Sequence, residues 1–173
     1  MKKHTAFSLI ELSIVILIIG ILVAGVTQGS RLITRMKVAS ARAQTQSAPV
    51  NSIRDIVGWW ETTLEQSFGG NEPEESAAGG TTGVATWYDI NPQAITKNNA
   101  TQATAANNPG YTITSSTTLN GLPTLQFNSS QYLSFDGTGI VGTNYSIFVV
   151  EQRTAAVGMG MMVTSSGAGL FLL

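Results

Sequence analysis

The 173-residue sequence contains no cysteine, which removes a disulfide framework and a thiolate metal site and leaves the compartment to be read from other features. Histidine occurs once, at His4, so the body of the chain cannot build a histidine-based acid–base pair or triad. No G-x-x-x-x-G-K-[ST] phosphate loop, H-E-x-x-H zinc helix or EF-hand pattern is present, and with them go the enzyme classes those patterns serve. Charge is also scarce, 11% of residues against 43% hydrophobic, which lies far from the charge-rich disordered class and predicts a folded chain.

The few charges are unevenly placed. Before Pro49 stand Lys2, Lys3, Arg31, Arg35, Lys37 and Arg42 against Glu11; after it, three basic residues face nine acidic ones. A distal part of net charge −6 repels phosphate backbones, so nucleic acid is not expected as a ligand there. Arg31, Arg35, Lys37 and Arg42 form a basic cluster that either meets anionic head groups or is an ordinary solvated helix face.

From Leu12 to Ser30 no residue is charged, and LSIVILIIGILVAGV is dense in Leu, Ile and Val. At about 1.5 Å per residue, roughly 20 helical residues cover the ~30 Å hydrocarbon core of a bilayer, so the run is long enough to span one. Gly20, Gly25 and Gly29 mark close packing or a bend in such a helix, and Gly20 is the candidate point of flexibility. A secretory signal peptide, a simple anchor and a processed precursor compete for this segment. Glu11 decides among them: a carboxylate in an apolar run costs insertion energy that the first two readings leave without a purpose. Cleavage before Phe7 would create an amine four residues upstream, with which the carboxylate of a neighbouring chain can be neutralised.

The string KKHTAFSLIELSIVILIIGILVAG resembles the prepilin-type N-terminus of type IV pilins and of the pseudopilins of type II secretion. That resemblance covers about thirty residues and implies a prepilin peptidase cutting after Ala6, an N-methylated Phe7, and Glu11 serving methylation and subunit registration. It implies further subunits in a homo- or hetero-filament and an inner-membrane assembly machinery as partners, with no cofactor. His4 would leave with the leader. The chain departs from the family in having Ala6 where glycine is usual and no proline before Pro49, and it lacks the C-terminal disulfide loop common in major pilins. The last two departures lean toward a minor pilin or pseudopilin. Charge counting alone favours the opposite orientation, whereas the resemblance implies a single pass with a cytoplasmic N-terminus and the rest periplasmic or on a cell-surface filament.

Beyond Ser30 the run turns amphipathic, with Leu32, Met36, Ala39 and Ala43 three or four residues apart, and a helix is expected to about Gln46. Pro49 pushes Ala48 toward extended geometry and stops it. The resulting plan is a leader (1–6), a membrane or filament-core helix (7–30), an amphipathic stem (31–48) and a head (49–173). In the head, 52–68 reads as a short helix or a first strand, and 69–83, with its glycines and Glu72, Pro73, Glu74 and Glu75, as an exposed loop. Short strands are predicted at 86–90, 110–114, 124–127, 132–135, 146–152, 159–163 and 170–173, with SIFVVEQ the strongest core strand and 96–108 on the surface. The fold class is therefore α+β: a long helix followed by an antiparallel, jelly-roll-like sandwich.

A second, weaker resemblance, carried by WYDI, NNPGY, LNGLPTLQF, YLSF and YSIFVVEQ, is to the concanavalin A-like or laminin-G-like jelly roll. It implies a glycan or protein ligand in some members and a plain structural sandwich in others. Ending in the apolar run GLFLL would leave an open sheet edge, so an incomplete head is expected. Asp89, Asp136 and Glu151 are isolated, so no strand offers the paired acids of a glycosidase. Asp136 in SFDGTG is a weak calcium candidate, with a plain turn favoured. Trp59, Trp60, Trp87 and Tyr88 would stack on a sugar if exposed, but core packing is the commoner fate of such aromatics. The combined reading is a non-enzymatic filament subunit; the alternative is a membrane-anchored binding module that never polymerises.

Overall fold

The computed structural model describes residues 8–70, 83–113, 119–128, 130–142 and 144–153, together with the backbone of 163–166 and 169–172. The chain divides into two compact units, Met1–Lys37 and Val38–Leu173.

Helix α1 (Leu9–Gln46) supplies the described part of the first unit and opens the second. Ile and Val are mediocre helix formers in water, but a helix satisfies every backbone N–H and C=O within the segment, which apolar surroundings require. It stops where Pro49 demands: Ala48 is extended (φ −65°, ψ 141°). The carbonyls stranded at that end are taken up by Asn51, whose Nδ2 donates to Gln46 O (2.7 Å) and Thr45 O (3.3 Å). Within the second unit the helix residues that lose solvent are Val38, which is buried, and Ala41, Arg42 and Thr45 on the same side. The stripe of Leu32, Met36, Ala39 and Ala43 lies on another side and is exposed.

The segment after α1 is neither the helix nor the strand expected of 52–68. Residues 53–64 run irregularly, and side chains from elsewhere replace a ladder: Asn91 Nδ2 donates to Ile56 O (3.0 Å), Asn98 Nδ2 to Val57 O (3.1 Å), and Trp59 N–H to Asp89 Oδ1 (3.0 Å). Gly58 is required here, because a Cβ would overlap the Trp60 ring. A single 3₁₀ turn follows (Glu65–Phe68), closed by Gly69 at φ 78°.

Among the described residues seven short strands then make two antiparallel sheets. Strands β1 (Thr86–Trp87), β2 (Ala100–Thr101), β5 (Leu133–Asp136), β6 (Val163–Ser166) and β7 (Gly169–Leu172) form one sheet in the order β1-β2-β5-β7-β6. Strands β3 (Gly110–Thr112) and β4 (Thr124–Gln126) pair with each other, Tyr111 opposite Leu125. The α+β class holds, and the described residues show two small sheets rather than a full sandwich. Alternation places Leu133 and Phe135 on the inner face of β5, where with Ala100 they form the core against Trp60, Trp87, Leu125, Phe127 and Ile140. The Trp60 and Phe135 rings lie 4.8 Å apart at a 55° tilt.

Three expectations for the head are corrected. The stretch 96–108 is not wholly on the surface: residues 96, 97, 101 and 103–106 are exposed, but it carries β2, and Ala100, Gln102 and Asn108 are buried, Ala100 within the core cluster. The segment 146–152 is no core strand; it forms no ladder, and Phe148 and Val150 are 94% and 87% exposed, since β-propensity without a partner strand to fit does not create one. Strand β1 ends at Trp87 instead of continuing to Ile90, because the Asp89 N–H is taken by Asn99 Oδ1 (3.0 Å) and that of Asn91 by Asp89 Oδ1 (2.9 Å). Residues 71–82 of the expected acidic loop and 159–162 of an expected strand lie outside the described residues.

Candidate functional site

The start of α1 is built around one side-chain cap. Ser8 immediately precedes the helix, Glu11 sits in its first turn, and Glu11 Oε2 accepts the Ser8 N–H at 2.9 Å. A Ser-x-x-Glu spacing with the glutamate reaching back is half of a capping box, and a carboxylate at this end also faces the positive pole of the helix. The other oxygen, Oε1, accepts no hydrogen bond from a described residue. Glu11 thus caps its own helix and keeps one oxygen open. Ala6 and Phe7, the residues flanking the expected cut, lie outside the described residues.

From Leu9 onward the apolar side chains of the first unit are exposed: Leu9 is 85% exposed, Ile18 51% and Val26 74%. An 18-residue stretch of mean hydropathy 2.9 with none of it buried is long and apolar enough to cross a membrane. Gly20 is helical, and a Cβ added at Gly20, Gly25 or Gly29 would meet nothing within 4 Å. Among the described residues nothing requires glycine at these places.

The four cations read as either a head-group cluster or a solvated helix face do not form one set. Arg42 is engaged with the head: its Nε donates to Thr63 O (2.7 Å) and its guanidinium pairs with Glu65 Oε1 (3.0 Å). Arg31, Arg35 and Lys37 are exposed.

Two carboxylates that the sequence left unremarked or isolated organise the head. Glu61 accepts four hydrogen bonds, from the Thr63 and Leu64 N–H groups (2.7 and 2.6 Å) and the Thr63 and Ser67 hydroxyls (2.5 and 2.7 Å), and so fixes the turn that Arg42 grips. Buried Asp89 takes the N–H groups of Trp59, Asn91 and Asn98. Asn98 joins both halves of this network, donating to Val57 O and Asp136 O (2.8 Å) and accepting from Asp136 N–H (2.9 Å). The only advance sign was a cluster of asparagines in a stretch with too little apolar content to be core.

Asp136 is exposed and serves as a turn. Its Oδ1 accepts the Thr138 N–H (2.9 Å), and that hydrogen bond, followed by one from the Thr138 side chain, holds its carboxyl below the ordinary value. Among the described residues no three His, Cys, Asp or Glu side chains come together as a metal site. Of the four candidate stacking aromatics, Trp60 and Trp87 pack against the core and spend their indole N–H groups on Asn98 O (3.0 Å) and Glu61 O (2.7 Å). Trp59 is half-buried and Tyr88 is exposed, so the four do not form one open platform.

Comparison with known proteins bears on the first unit alone. Residues 1–27 match the family model described as the prokaryotic N-terminal methylation motif. No curated protein and no solved structure matches the chain, so the concanavalin A-like resemblance of the head gains nothing from them. The matched motif and the exposed apolar helix together are consistent with a type IV pilin-like or pseudopilin-like precursor anchored in a membrane; the motif's family is structural, not catalytic.

Proposed function

We propose that this chain is a subunit of a type IV pilus-like or type II pseudopilus-like filament. A prepilin peptidase cuts between Ala6 and Phe7, the new N-terminus is methylated, and α1 holds the subunit in the inner membrane with its N-terminus in the cytoplasm until an assembly machinery extracts it. The observation that carries this reading is the helix start: an N-terminal methylation motif whose one acid caps α1 and opens onto a wholly unpartnered apolar surface.

The physical logic is one of compensation. An unpaired carboxylate withdrawn from water costs several kcal/mol. In the stored subunit, the Ser8 N–H meets part of that cost for Glu11. When helices bundle, Oε1 takes the Phe7 amine of a neighbour, so apolar burial and charge pairing coincide only in the correct register. The exposed stripe of Leu32, Met36, Ala39 and Ala43 extends the contact surface past the membrane segment.

Replacing Glu11 by Gln separates the two roles, because a glutamine can still accept the Ser8 N–H while carrying no charge. The variant is expected to insert normally and to be absent from filaments in sheared surface material viewed by electron microscopy. Filaments of normal number and length from Glu11→Gln would remove the charge-pairing mechanism.

A further inference from the structure

We infer that Arg31, Arg35 and Lys37 form a collar that selects anionic phospholipid around the C-terminal end of the membrane helix, an inference resting on the reading that this helix spans a bilayer. Three observations carry it. First, the cations begin at the residue following the uncharged run 12–30, and no acidic residue lies between Glu11 and Asp55 to neutralise them. Second, all three are exposed, and among the described residues none has a hydrogen-bonding or ion-pair partner, whereas Arg42, next along the chain, is bound to Thr63 and Glu65. The structure thus divides a four-residue cluster into one head-gripping residue and three free cations.

Third, the three do not share a single face of the helix. At about 100° per residue, Arg31 and Arg35 stand one turn apart on one side and Lys37 about 200° from Arg35. A docked protein meets one face, while lipid head groups surround a single span on all sides. The rise from Arg31 to Lys37 is about 9 Å, close to the depth of a head-group layer. Helical side chains lean toward the helix N-terminus, so cations placed just beyond the span reach back to the phosphates.

The test reconstitutes the full chain in phosphatidylcholine vesicles containing a minor share of phosphatidylglycerol, extracts it in mild detergent, and measures the co-purifying lipids by mass spectrometry. Wild type should retain phosphatidylglycerol about fivefold or more above its bulk share, falling with added salt. The R31Q/R35Q/K37Q variant should retain the bulk ratio, and Arg42→Gln should behave as wild type. Resistance to carbonate extraction reports insertion separately. An inserted wild-type chain with no lipid preference, or one whose preference survives in the triple variant or is lost equally in Arg42→Gln, overturns the collar alone, as would pairing of these cations with the acidic head of a second copy. A carbonate-extractable chain overturns the spanning reading and the collar with it.

Discussion

Residues 9–30 and the head solve opposite halves of the same problem. In the helix every interior backbone group is paired within the segment while its apolar side chains stay exposed; in the head strands of two to four residues leave much backbone without a ladder, and side chains complete it. Asn51, Glu61, Asp89, Asn91 and Asn98 between them receive or supply hydrogen bonds for Gln46, Ile56, Val57, Trp59, Leu64 and Asp136. The helix is complete in backbone and open in surface, whereas the described head draws on its own side chains. The difference teaches where partners belong: the helix still awaits a surface to bury.

The comparison is broken most forcefully by moving a defect from one region to the other. Leu133→Ala empties a fully buried core position and should cost the head about 2–5 kcal/mol, read as a lowered melting transition of detergent-solubilised protein, with membrane insertion unchanged. Ile18→Arg does the reverse, costing about 3 kcal/mol of insertion near the span's centre while the head melts as before. Asn98→Ala orphans Val57 O and the backbone of Asp136 and should destabilise the head by about 1–3 kcal/mol; an unchanged melt would show that the network is ornamental.

The smallest effect concerns acid. The Asp136 carboxyl is held below its ordinary value of 3.8, so its contribution is complete above that pH and is lost as pH falls through the folded-state value. Because the group is exposed the effect is small, and Asp136→Asn should flatten the acid limb of the stability profile and slightly lower the neutral plateau, as read by urea melts across pH.

What the sequence revealed follows the same division. The helix was legible because its signals are local: an uncharged run, Ser8 and Glu11 at the start, Pro49 at the end. The head was legible in class but not in detail, because its strands depend on partners distant in sequence. SIFVVEQ carries ample β-propensity and forms no strand, whereas Ala100, with little propensity and no bulk, occupies the core between Trp60, Trp87 and Leu133. The irregular stretch 53–64 was unreadable for the same reason, since Asp89, Asn91 and Asn98, 30 to 41 residues away, decide its path. The role of Arg42 was not legible, because charge alone does not say whether a helix cation meets head groups, solvent or Thr63 O.

The mass of the mature N-terminal peptide, taken from the membrane fraction of cells producing the full chain, tests the account most directly. A peptide beginning with methylated Phe7 is the predicted result. A chain that keeps Met1, or one cut near Gly25, would contradict it.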